Sequence, residues 1–188
     1  TGCSMGVTLD LDKRLPMGGG MGGGSSDAAT VLLALNRLWG LNLSRKELMA
    51  IGLRLGADVP FFLFGCNAFV EGIGEIMTPV PSEDAWYVVL HPAVHVPTPD
   101  IFRDPDLTRN TPAIKVRDLA AATTHNDLEA VAIRQHPLIA QHIDWLNQYA
   151  PARMTGSGSC VFARFASQEK ANHVICRLPD SWRGFAAR

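Results

Sequence analysis

Six glycines fall within seven residues at Gly18-Gly19-Gly20-Met21-Gly22-Gly23-Gly24, followed at once by Ser25-Ser26. Glycine at this density means either flexibility or a backbone that needs conformations and close approaches a Cβ forbids. The flanks favour the second. Pro16 stands at the entrance, an alternating stretch from Met5 to Asp12 leads in as a strand, and an apolar-periodic helix over Asp27–Trp39 follows. Ser25 or Ser26 is the natural N-cap of that helix. Its first-turn N–H groups, without intrahelical acceptors, aim back at the glycines with the positive end of the helix dipole. Residues Pro16, Met17, Gly18, Gly19, Gly20, Met21, Gly22, Gly23, Gly24, Ser25 and Ser26 therefore read as a cradle for a phosphate chain, approached by the basic pair Lys13-Arg14.

The spacing separates this cradle from two commoner ones. A Walker A loop ends in Lys followed by Ser or Thr, and here Gly24 is followed directly by serine. Gly18, Gly20 and Gly23 satisfy G-x-G-x-x-G only because doubled triple glycines do so trivially. The acidic residue that should end a second strand about twenty residues on is also missing, since Glu47 sits in a capping box, Ser44-Arg45-Lys46-Glu47, opening a helix over Arg45–Leu55.

Beyond that helix, Gly56-Ala57-Asp58-Val59-Pro60 leads into the apolar run Phe61-Phe62-Leu63-Phe64. A carboxylate at this place either caps a turn or is held for chemistry. Residues Asn67 to Pro79 read as a hairpin, and the polar, proline-rich stretch Pro79–Asp84 reads as the boundary between a lobe at 1–81 and a second at 82–188. In the second lobe a strand over Trp86–Leu90 precedes a helix start at Thr98-Pro99, with Thr98 as cap. Helices are predicted at about Val116–Ala122, Asp127–Gln135 (capped by Asn126), Pro137–Tyr149 and Gln168–Leu178. A Gly/Ser turn from Met154 feeds a strand through Ala163, and a last strand begins at Phe185. The pattern is α+β and compatible with a split βαβ sandwich.

With a net charge of −1 over 188 residues, there is no electrostatic case for nucleic acid or an anionic membrane as partner. No apolar run reaches transmembrane length. The four cysteines are scattered, which suits reduced thiols in the cytoplasm better than disulfides or zinc. The chain begins with Thr1 rather than Met, so it is expected to be an internal piece of something longer.

The segment Leu15–Ala29 resembles the second motif of the GHMP kinase superfamily, and Thr155-Gly156-Ser157-Gly158-Ser159-Cys160-Val161-Phe162 is similar to its third. Leu55-Gly56-Ala57-Asp58-Val59-Pro60 and Pro97-Thr98-Pro99-Asp100-Ile101-Phe102 resemble the members that act on a cytidine diphosphate-linked alcohol. The resemblance implies a two-lobed GHMP kinase fold: a ribosomal S5 domain 2-like lobe, here truncated, and a ferredoxin-like α/β sandwich. It implies ATP and Mg²⁺, with Ser25 or Ser26 meeting the metal and Lys13 near the phosphates. Asp58 would take the proton of the acceptor hydroxyl. Thr98, Phe102, Gly156 and Ser157 would hold the acceptor, with Phe102 stacked on the cytosine. The implied reaction is phosphorylation of the 2-hydroxyl of a methylerythritol unit in the non-mevalonate isoprenoid route, by a monomer or weak homodimer. Alternatives are another GHMP small-molecule kinase, of homoserine, sugar or mevalonate type, or a non-catalytic nucleotide-binding module. The superfamily's first motif, with a lysine that partners the aspartate, and the upstream aromatic and histidine of the cytidine pocket are not in this sequence. These residues alone are therefore expected to be poorly active.

Overall fold

Buried apolar residues at alternate positions of its two central strands anchor the larger of two sheets. The computed structural model describes residues 1–119 and 124–188, in two compact units: residues 1–17 with 22–82, and residues 18–21 with 83–188.

In the second unit β3 (Trp86–His91) buries Val88 and Leu90 on one face, and β5 (Val161–Phe165) buries Val161, Ala163 and Phe165 on the same face. With β4 (Ala152–Met154) and β6 (Arg183–Ala187) they form an antiparallel sheet in the order β4-β5-β3-β6. Helices α5 (Glu129–Gln135) and α6 (Pro137–Asn147) lie between β3 and β4 in sequence, and α7 (Gln168–Ile175) between β5 and β6. This is the split βαβ topology of a ferredoxin-like sandwich. Helix α6 supplies Ile139, Ile143 and Leu146 at helical spacing, and α7 supplies Ala171 and Val174. A short helix α4 (Thr98–Arg103) buries Ile101 in the same core.

In the first unit α1 (Gly23–Leu38), α2 (Arg45–Leu55) and α3 (Val59–Phe64) close around Ala29, Leu48, Val59 and Leu63. The Ser44 hydroxyl accepts from the Glu47 N–H while the Glu47 carboxylate accepts from the Ser44 N–H, completing the capping box. Strands β1 (Ala68–Glu71) and β2 (Ile76–Pro79) pair as an antiparallel hairpin.

Several elements differ from the sequence reading. Residues Met5–Asp12 form no strand, and Met5, Val7, Leu9 and Leu11 stay exposed. A strand needs a ladder partner for its N–H and C=O groups, and none of the described residues supplies one. Helix α1 starts at Gly23 rather than Asp27, so Gly22 is its cap and Ser25 and Ser26 lie inside the first turn. The low helix propensity of Gly23 and Gly24 is overridden by packing of the helix against α3. On α2, Leu48 and Gly52 turn inward and Leu55 points to solvent. Pro97 rather than Thr98 caps α4, and α5 begins two residues later than predicted. Of the helix predicted at Val116–Ala122, Val116–Asp118 forms a single 3-10 turn. Residues 120–123 lie outside the described residues.

His142 on α6 is 3% exposed, stacked on Trp182 at 3.5 Å between ring centroids, and its Nδ1 lies 2.7 Å from the Leu138 carbonyl. Burial holds its pKa below the usual histidine value, opposed by the Leu138 carbonyl and helped by nearby His91, whose own pKa burial also lowers. A histidine less basic when folded contributes stability above its unfolded pKa of about 6.5, lost as pH falls through the folded value. The urea midpoint should therefore drop between pH 7 and pH 5, and drop less in His142→Phe, which keeps a ring on Trp182. In the same titration at pH 7, Leu146→Ala, emptying a fully buried site, should cost about 2–5 kcal/mol.

Candidate functional site

The N-terminus of α1 leaves backbone donors without intrahelical acceptors. Gly22 holds it in the left-handed region at φ 64°, where a side chain would also strike the Phe62 ring at 2.8 Å. The Ser26 N–H bonds back to the Gly22 carbonyl, whereas those of Gly23, Gly24 and Ser25 precede the first intrahelical bond. A Cβ on Gly24 would meet nothing within 4 Å, so space lies open beside that residue. Lys13 Nζ sits 2.5 Å from Asp27 Oδ2 and would be 3.1 Å from a Cβ on Gly23, so the ammonium stands over the first turn.

Asp58 belongs to the same unit. It occupies the N-cap position of α3, exposed and making no side-chain capping bond. Phe62 of α3 covers Gly22, and Ser25 Oγ is 4.0 Å from where a Gly56 Cβ would stand, so the α1 terminus and the Gly56–Asp58 turn are neighbours. The carboxylate thus faces solvent, with no hydrogen bond from the described residues. Pro16 and Met17 lie in the loop before the glycines, and Met17 is exposed.

The remaining glycines, Gly18–Met21, are held in the second unit against the turn after β4. The Thr155 hydroxyl donates to the Gly20 carbonyl at 3.0 Å, and the Cys160 N–H donates to the Gly19 carbonyl at 3.1 Å. Gly20 has φ 72°, and a Cβ there would fall 2.2 Å from the Thr155 carbonyl oxygen. The turn is itself tied down: the Asn126 amide donates to the Met154 and Gly156 carbonyls, the Glu129 carboxylate accepts from the Met154 N–H, and the buried Ser159 hydroxyl donates to the Val94 carbonyl.

Thr98 and Ser157 share a hydrogen bond of 2.7 Å between hydroxyls, which joins the start of α4 to this turn. Phe102 lies on the outer side of the same helix, 52% exposed. A cleft of about 640 Å³ runs beside it, reaching Arg109, Asn126, Arg153, Gly156 and Phe162. The structure thus gathers Thr98, Phe102, Gly156 and Ser157 in one unit, and Lys13, Gly22–Ser26 and Asp58 in the other.

Sequence reasoning missed Thr155, Glu129 and the second role of Asn126, which it took only as a helix cap. Bonds from a side chain to a backbone 25 or more residues away leave no periodicity to read. The thiols are free, as their spacing suggests, and burial pushes Cys160 up to about 11, which keeps it a neutral hydrophobe.

The family model for the GHMP kinases N terminal domain matches residues 1–66, and that for the GHMP kinases C terminal matches 110–184. A 4-diphosphocytidyl-2-C-methyl-D-erythritol kinase of Thiobacillus denitrificans is 60% identical over 183 residues, covering 97% of this chain and 66% of its own length. The protein of that name from Ralstonia nicotianae is 59% identical over 193 residues, covering 100% and 67%. The chain therefore spans about two thirds of the length of the curated relatives it matches. A crystal structure of 4-(cytidine 5'-diphospho)-2C-methyl-D-erythritol kinase superposes with a TM-score of 0.79 at 34% identity, over 93% of this chain and 67% of that one. A homoserine kinase from Cytophaga hutchinsonii, at TM-score 0.63 and 19% identity over 94% and 68%, shares the fold. Matched at both ends by its models and at this identity to its members, the chain belongs to the GHMP kinases.

Proposed function

We propose that this chain carries the ATP- and acceptor-binding residues of a kinase that phosphorylates the 2-hydroxyl of 4-diphosphocytidyl-2-C-methyl-D-erythritol. Residues 1–81 form the ATP-binding part and 82–188 the C-terminal lobe. The observation that carries this reading is the open, glycine-capped N-terminus of α1 next to a turn that leaves Asp58 uncapped and exposed. High identity to relatives bearing that name supports the acceptor.

The N–H groups of Gly23, Gly24 and Ser25 bind phosphate oxygens at the positive end of the helix, and Lys13 adds a cation beside them. The stretch Pro16 to Gly22 wraps the rest of the phosphate chain. Asp58 orients the acceptor hydroxyl and accepts its proton as the oxygen attacks phosphorus. In phosphoryl transfer such positioning and charge stabilisation make up most of the catalysis. Among the described residues no three His, Cys, Asp or Glu side chains gather into a metal-sized cluster. Mg²⁺ takes one or two protein oxygens and otherwise phosphates and water, so a serine hydroxyl beside the phosphates would suffice for it. Ser25 or Ser26 would hold it, and when bound it would offset phosphate charge. Phe102 stacks on the cytosine, while Thr98, Gly156 and Ser157 line the acceptor's place.

No helix among the described residues is long and apolar enough to cross a membrane. We place the kinase in the cytoplasm, as a monomer or weak homodimer acting on small molecules. The resemblance implies a lysine beside the aspartate in a motif that these residues do not contain, so the 188 residues alone should turn over slowly.

The test uses the natural gene product, assayed with ATP and alcohols with or without the cytidine diphosphate. Asp58→Asn should lower kcat by at least about a hundredfold while ATP still binds. Equal rates on both kinds of alcohol would remove the proposed acceptor, and ATP binding with no turnover in the unsubstituted protein would favour a binding module. Gly24→Ala adds a methyl that meets no protein atom, so the melting temperature should hold or rise while ATP affinity falls about tenfold. Unchanged affinity there would place the phosphates elsewhere.

A further inference from the structure

Phe102 is half exposed on a six-residue helix, too short to hold itself in one place by backbone hydrogen bonds alone. Something else must fix the ring if a planar group is to stack on it. Ile101, fully buried, pins the middle of α4. At its C-terminal end the Arg109 guanidinium donates to the carbonyls of Phe102 (2.6 Å) and Asp104 (3.1 Å), groups the helix cannot satisfy itself. The Asp104 carboxylate, its side chain only 9% exposed, accepts from Arg134 at 2.6 Å, from Gln135 at 2.9 Å and from the Asp106 N–H at 2.9 Å. Arg134 also reaches Asp106 at 2.6 Å. The guanidinium and the Asp106 N–H hold the Asp104 carboxyl below the usual carboxylate range.

Arg134 and Gln135 stand at the C-terminal end of α5. At its other end, Asn126 and Glu129 hold the backbone of the Met154–Gly156 turn. One two-turn helix therefore carries tethers to both acceptor elements: the glycine turn at one end, the helix bearing Phe102 at the other. Neither Asp104 nor Arg134 lies in the motifs that mark the family.

We propose that α5 is a strut that fixes the distance between the glycine turn and Phe102, and that Asp104 and Arg134 are positioning residues for the cytosine of the acceptor. This rests on the reading of Phe102 given above. Neither residue touches substrate; they act by holding a ring that does. Asp104 accepts from Arg134, Gln135 and the Asp106 N–H at once, and three bonds on one carboxylate restrict it more than a single exposed ion pair would.

The experiment is a double-mutant cycle in the natural gene product, reading kcat, both KM values, acceptor Kd by calorimetry and melting temperature. Arg134→Met, which keeps the aliphatic stem, should raise acceptor KM and Kd about tenfold, with kcat and ATP KM within twofold. Asp104→Asn should do the same to a lesser degree, and serves alone if Arg134→Met does not fold. Phe102→Leu should weaken the acceptor by itself, and adding Arg134→Met to it should change little more. Full additivity of the two would overturn the proposal, as would a fall in kcat and in the affinity for both substrates together. A protein that binds the cytidine diphosphate alcohol without phosphorylating it removes the proposed reaction but leaves the cycle readable through Kd. If Phe102→Leu binds the alcohol as well as the unsubstituted protein, the stacking reading fails, and the strut with it.

Discussion

The distance between the Gly20 backbone and the Thr155 carbonyl is the constraint on which much of the second unit depends. A Cβ at residue 20 would sit 2.2 Å from that oxygen, well inside van der Waals contact, so the approach exists only because there is no side chain. Once it is made, the Cys160 N–H and the Thr155 hydroxyl find acceptors at Gly19 and Gly20. The turn that follows β4 is then satisfied by backbone 135 residues away in sequence. From that fixed turn, Ser157 reaches Thr98 and Asn126 reaches back from the start of α5. The glycines at 18–20 therefore serve the structure before any ligand arrives.

The same density of glycine was legible for a different reason at residues 22–26. There Gly22 is a left-handed cap and space lies open beside Gly24, and the glycines together with the proline before them and the periodic helix after them announce a helix N-terminus. Where the sequence reading went astray was the boundary. Serine at 25 and 26 is the better N-cap by propensity, yet Gly22 takes the role, since packing of Phe62 on Gly22 rewards an earlier start more than a hydroxyl cap does. Local preference of about 1 kcal/mol is easily reversed by burial of one aromatic ring.

The elements that the sequence showed most clearly were α7, by its helical period, β3, by its continuous apolar run, and the capping box of α2, whose two residues stand three apart. The alternating run at Met5–Leu11 had an equally clear period and formed nothing. Alternation reports that one face is fit to be buried; it does not supply the neighbouring strand whose hydrogen bonds make burial possible. Side-chain tethers such as Asn126 to Gly156, Glu129 to Met154 and Arg134 to Asp104 span 25 to 30 residues and have no period at all. Each involves a polar residue that would be equally at home in water.

On the proposed function, that difference follows from what the two kinds of contact recognise. A phosphate chain is the same in every reaction that uses it, and it can be held by main-chain N–H groups, whose only sequence requirement is glycine or a small residue that keeps the backbone bare. An acceptor must be told apart from its analogues, and discrimination comes from buried or stacked groups in fixed places, which main chain alone does not provide. In this chain Phe102 and Thr98 are presented on a helix whose position is set by side chains on α5 and on the glycine turn. The parts that a fold family shares are thus written in glycine and stay visible in one sequence. The parts that distinguish its members are written in tethers between residues far apart, visible only when the chain is folded.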